Sequence, residues 1–69
     1  MGRKQHGSKR RDVERRLRAE GWRIVRYGPG DHVQYKHTER KGRVTIDQGS
    51  REIPTGTLRS IYRQAGWEW

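Results

Sequence analysis

Cysteine is absent from the 69 residues, which excludes a disulfide framework and a thiolate metal site and is compatible with a reducing cytoplasm. Long apolar runs are absent too. No stretch approaches the ~18–20 residues of a membrane span, and the basic start lacks the apolar length of a signal peptide, so a soluble cytoplasmic protein with no membrane partner is expected. Apolar residues are scarce in general, at 28% of the chain with a mean hydropathy of −1.40, a composition that leans towards disorder. Against disorder, they recur at strand spacing in mid-chain and at helical spacing near the end. A single domain of this length hides only about 60% of the surface its unfolded chain exposes, and its core seldom supplies more than ~3–5 kcal/mol. Acidic residues are the last shortage: eight Asp and Glu face seventeen Lys and Arg, for a net charge of +9 and a pI near 11.1. That excess favours polyanions, nucleic acid first. Most of it is arginine, whose planar fork pairs bidentately with phosphate and stacks on bases.

Residues 1–7, MGRKQHG, are polar and basic with nothing to bury, and read as a disordered arm. Ser8 is the expected N-cap of a first helix in which Val13 and Leu17 lie one turn apart and Gly21 supplies the left-handed stop. The apolar stripe is thin, with Arg10, Arg11, Arg15, Arg16 and Arg18 on the wetted faces. Residues 22–27, WRIVRY, are aromatic and β-branched and read as a strand. Gly28-Pro29-Gly30-Asp31 fits a type II turn, with Pro second and Gly third. In the following DHVQYKH, Val33 and Tyr35 share the core face, while His32, Gln34 and Lys36 share a polar one. RVTI repeats the pattern, burying Val44 and Ile46 and turning Arg43 and Thr45 outward. Residues 47–52 form a polar loop, and Pro54 suits the first turn of a second helix. There Leu58, Ile61, Tyr62 and Ala65 occupy i, i+3, i+4 and i+7, and Gly66 ends the run.

The expected fold is α+β: helix, three-stranded antiparallel sheet, helix, with both helices on one sheet face and the other face open. Residues 8–66 make the domain. The aromatic tail of residues 67–69, WEW, requires either a groove on this domain or a partner.

Several motifs carry a resemblance: GW-x-x-V-R at Gly21–Arg26, G-D-H-x-Q-Y-K-H at Gly30–His37, RVTI, and IP-x-GTLRSI-x-x-QAG ending at Gly66. Together they resemble the HicA family of toxins from bacterial toxin–antitoxin pairs. The resemblance implies a fold similar to a double-stranded-RNA-binding domain and an mRNA endonuclease that needs no metal or other cofactor. It further implies neutralisation by a HicB-like antitoxin and an active histidine in a G-S-H motif at the start of the second strand, which here is His32 in G-D-H. Two positions depart from the family. Asp31 replaces the usual Ser, and Gln48 stands where many members have another histidine.

The chemistry of RNA cleavage agrees with that assignment. Without a metal, a base must take the proton of the 2′-OH as it attacks the adjacent phosphate, and an acid must protonate the leaving 5′-oxygen; histidine suits either role. Positive charge must also meet the transition state. Lys36 lies four residues from His32, roughly 13 Å along the strand at ~3.3 Å per residue, and is expected to hold a neighbouring nucleotide. Arg43, or less directly Arg26, is left to serve the scissile phosphate, with Gln34 between them as a further RNA contact. The parity of the first strand is not fixed by the sequence. Taken alone, a histidine beside a turn is a solvated surface residue. Tyr35 is expected in the core and His37 at a strand end without a role, on the face opposite His32, which argues against a two-histidine metal site. The competing function is a non-catalytic RNA-binding module of the same topology, although the lysines such modules carry at the start of their second helix are replaced here by PTGTL. A third is a basic structural protein held by its arm. An antitoxin for a chain of this charge should present an acidic surface over His32 and bury Trp67 or Trp69.

Overall fold

The computed structural model describes residues 6–69. Helix α1 (Arg10–Ala19) leads through β1 (Arg23–Tyr27), β2 (His32–His37) and β3 (Arg40–Asp47) to helix α2 (Thr55–Ala65). The strands form one antiparallel sheet in the order β1-β2-β3, the expected α+β arrangement with an open sheet face. No described helix is long and apolar enough to cross a membrane. Most of the expected 1–7 arm lies outside the described residues.

The period-two pattern works as the strand geometry requires. Val33 and Tyr35 pair with Ile46 and Val44 across the β2–β3 ladder, and all four are buried. From the helix side Leu17, Leu58 and Ile61 close over them, and Ile53 completes the floor. Fully burying a side chain of this kind contributes about 1.5–3 kcal/mol, so the layer is the main source of stability.

Both helices stop in the same way. After α1, Gly21 has φ 99°, its N–H bonds to Arg18 O at 3.1 Å, and the Trp22 N–H bonds to Leu17 O at 3.0 Å. After α2, Gly66 has φ 78°, its N–H bonds to Arg63 O at 3.2 Å, and the Trp67 N–H reaches Tyr62 O at 2.8 Å. This is the left-handed glycine stop in which the residue after the glycine packs back on the helix. Trp22 is accordingly buried, and so is Trp67, edge-on to Tyr62. Of the two alternatives for the tail, the groove on this domain is the one realised. The Trp67 indole N–H donates to Glu20 Oε1 at 2.6 Å, and the Arg16 guanidinium stacks 4.0 Å from its ring, so the tail is tied to the end of α1. Trp69 is half-buried, stacked on His6. Trp67 is thus covered by the domain's own residues.

Three local expectations are corrected. Lys9, not Ser8, precedes α1 as its cap residue; the Ser8 hydroxyl instead donates to Glu52 Oε1 at 2.7 Å, where Lys9 and Glu52 make an isolated bridge. The hairpin turn closes one residue later than expected, by His32 N–H to Pro29 O at 3.3 Å, around Gly30 with φ 63° and across a cis Gly28–Pro29 bond. A positive φ at the first central position followed by a negative one belongs to the type II′ turn, whose twist suits a hairpin better than type II. His37 has a structural role: its Nδ1 accepts from the Glu39 N–H at 3.0 Å, which leaves Nε2–H to donate to Glu20 O at 2.8 Å and cap the last turn of α1.

Candidate nucleic-acid interface and active site

The open sheet face is organised by the register. His32 is paired with Asp47, Gln34 with Arg26 on one side and Thr45 on the other, and Lys36 with Arg23. A bulge at Val25, between Ile24 and Arg26, fixes the parity that the sequence left open. Ile24 stays opposite Tyr35 on the core side, and the extra residue brings Arg26 into line with Gln34 on the open side.

His32 begins β2 directly behind the Gly30 turn and is exposed. Arg26 stands in the next row, a diagonal neighbour at roughly 7–8 Å between backbone positions. Arg43 adjoins Val44, the partner of Tyr35, and so lies beyond Gln34 from His32; its guanidinium donates to Gln34 Oε1 at 2.6 Å. Of the two arginines expected near the scissile phosphate, Arg26 is thus the nearer, the reverse of the order expected from sequence. Lys36 and Arg23 form the far row. Arg23 was not foreseen, and its signal was the unresolved parity of β1. Asp47, across from His32, was not foreseen either, yet pairing Val33 with Ile46 fixes it there. Its Oδ1 accepts from the Gly49 N–H at 2.9 Å.

Behind this face the loop after β3 is fastened by one buried carboxylate. Glu14 of α1 is 2% exposed and accepts from the Tyr35 hydroxyl, from Gln48 Nε2 at 2.9 Å and from Arg10 Nη1 at 2.5 Å. Burial pushes its pKa up, but these hydrogen bonds and the Arg10 charge outweigh it and hold the carboxyl below its ordinary value. The same burial, with Glu14 beside it, raises the Tyr35 hydroxyl to about 12. Arg10 also donates to Ser50 O at 2.8 Å, and the Gln48 N–H to Asp31 O at 2.8 Å. Gln48, where the resemblance leads one to look for a histidine, is therefore a strut between α1 and the loop that follows Asp47.

On the other side of β3 a groove of about 400 Å³ runs between this strand and α2. His32 and Asp47 stand at its mouth, Ile46, Ile53 and Ile61 line it within, and Thr57, Ser60 and Gln64 form its helix wall. His32 thus borders both the cation-bearing sheet face and this groove, whose lining holds no Lys or Arg. Among the described residues no three of His, Asp and Glu converge as metal ligands.

Comparison with known proteins bears on the family and the fold. The family model for the HicA toxin of bacterial toxin–antitoxin systems matches residues 10–67. A chain in a solved structure described as a toxin–antitoxin complex from Streptococcus pneumoniae is similar at 29% identity and a TM-score of 0.68, over 86% of this chain and 97% of that one. A search of curated proteins gives no match. Since the family match spans most of the chain, from the start of α1 to Trp67, this chain belongs to the HicA toxin family.

Proposed function

We propose that the protein is the toxin of a toxin–antitoxin pair, an endoribonuclease that cleaves mRNA without a metal ion, with His32 as general acid or base. The observation that carries this reading is the exposure of His32 on an open sheet face whose neighbouring rows hold Arg26, Arg23 and Lys36. The 2′-oxygen attacks the adjacent phosphorus, the bond from phosphorus to the 5′-oxygen breaks, one proton leaves the 2′-OH and another reaches the 5′-oxygen. In-line displacement puts these transfers on opposite sides of phosphorus, so one imidazole carries one of them and the other passes to water or Asp47. Arg26, in the row beside His32, meets the charge that builds on the phosphate oxygens. Lys36, Arg23 and Arg43, the last tethered to Gln34, hold the neighbouring nucleotides. The partner that silences such a face is a HicB-like antitoxin with an acidic surface over His32.

The test is cleavage of RNA in EDTA. The His32→Ala variant, folded by circular dichroism, is expected to lose about 10²–10⁴ of the rate, the usual worth of an acid–base group. Equal cleavage by wild type and variant removes His32 from the mechanism, and loss of wild-type cleavage in EDTA removes metal independence.

A further inference from the structure

The groove between β3 and α2 is the part of the site to which the cleavage chemistry gives no role. We propose that it is a base-binding subsite: it takes the base of a nucleotide flanking the phosphate at His32, and it favours bases with an exocyclic amino group over uracil. This rests on the RNA-cleaving reading above.

Three observations lead to it. First, its volume of about 400 Å³ lies within the ~300–1,000 Å³ of small-molecule sites. It also has the make-up of one, with buried isoleucines below and a few polar groups above. Second, no residue lining it is Lys or Arg, although these make up 17 of the 69 residues. A phosphate finds no Lys or Arg to pair with there, and Asp47 repels one. The sugar–phosphate chain therefore stays on the cationic sheet face, and what turns round the edge of β3 into the groove is the uncharged part of the nucleotide. Third, the polar groups are arranged for planar hydrogen bonding. Thr57, Ser60 and Gln64 fall at i, i+3 and i+7 and so present one stripe of α2. Gln64 offers a donor and an acceptor together, the combination that pairs with adenine, and a carboxylate such as Asp47 accepts from the amino group of cytosine. Uracil shows a carbonyl where those bases show an amine. His32 at the mouth joins the subsite to the reacting phosphate.

The experiment uses the whole chain in two arms. A random RNA pool is cleaved by wild type, Ser60→Ala and Gln64→Leu, and the cut ends are sequenced; both side chains lie at the surface or partly so, and circular dichroism checks the fold. Wild type should enrich amino-bearing bases at one position beside the cut, and Gln64→Leu should reduce that preference at least about 5-fold, the lower end for one lost base contact. An unchanged preference in both variants overturns the proposal. In the second arm a 2′-O-methyl hexanucleotide is titrated into His32→Ala and followed by amide NMR. Shifts at Thr57, Ser60 and Gln64 support the subsite even if wild type proves not to cleave RNA, which would sink the nuclease reading alone. Shifts confined to the rows of Arg23, Arg26 and Lys36 overturn the subsite and leave RNA binding standing.

Discussion

The two helices cover the same sheet face by different means. α2 buries Leu58, Ile61, Tyr62 and Ala65, an apolar stripe of ordinary width, whereas α1 buries Val13, Leu17 and the carboxylate of Glu14. Apolar burial is non-directional and supplies most of the energy. A hydrogen-bonded carboxylate supplies less but fixes position, because Tyr35, Gln48 and Arg10 must each meet it in a particular direction. The contrast follows from composition. An arginine-rich helix that presents its charge to solvent has few apolar side chains left to bury, and it docks through a polar anchor instead. That anchor also fastens residues 48–50, next to Asp47 and the mouth of the groove.

The largest expected difference lies on the α2 side. Leu58→Ala removes a side chain that is 2% exposed, and such truncations cost about 2–5 kcal/mol. That is comparable to the whole stability of a domain this small. The variant should show no cooperative urea transition at 25 °C. A transition with a midpoint near that of wild type would mean that α2 is not the energetic anchor.

The α1 side should fail differently, through pH. The folded-state pKa of Glu14 lies below the ordinary 4.5, so the unfolded chain binds this proton more readily than the folded one. Its contribution is thus complete above pH 4.5 and is lost as pH falls through the folded value. Glu14→Gln keeps the shape but not the charge. It is expected to lower stability by about 1–3 kcal/mol at pH 7, the range for losing charged hydrogen bonds in a buried site, with the gap to wild type closing in acid. Urea midpoints of both proteins from pH 3 to 7 would show this; a gap independent of pH would assign the loss to packing.

What was legible in the sequence follows the same division. The faces of β2 and β3 and the stripe of α2 are apolar periodicities, and each was legible because burial repeats with the backbone. Glu14 was not legible, since nothing in an arginine-rich helix marks which carboxylate a tyrosine and a glutamine from two other segments will reach. The parity of β1 was hidden by a bulge, which adds a residue without any special residue type at Val25. The position of His32 was readable from the turn and the alternation, but the groove beside it was not. It depends on how closely α2 approaches β3, a distance that pattern alone does not give. Trp67 is the instructive case. Gly-Trp follows each helix, and the glycine stop places the next residue back on the helix, so the signal for burying both tryptophans was present in the sequence as a repeated pair.

The smallest effect tests where the two helices meet. Arg16 of α1 stacks 4.0 Å from the Trp67 ring beyond α2 and pairs with Glu20 Oε2 at 3.1 Å, while Glu20 accepts from the Trp67 indole. The ion pair is exposed on both sides and is worth little. The stacking lies against a ring that is 8% exposed and carries most of what Arg16 contributes, about 0.5–1 kcal/mol. Arg16→Ala should therefore lower the urea midpoint slightly, and by nearly the same amount in 1 M salt as in 0.05 M, because screening acts on the exposed pair far more than on the covered one. A loss that disappears in high salt would place the contribution in the Glu20 pair instead. The two helices would then be joined at this end by the Trp67 indole hydrogen bond and apolar contact alone.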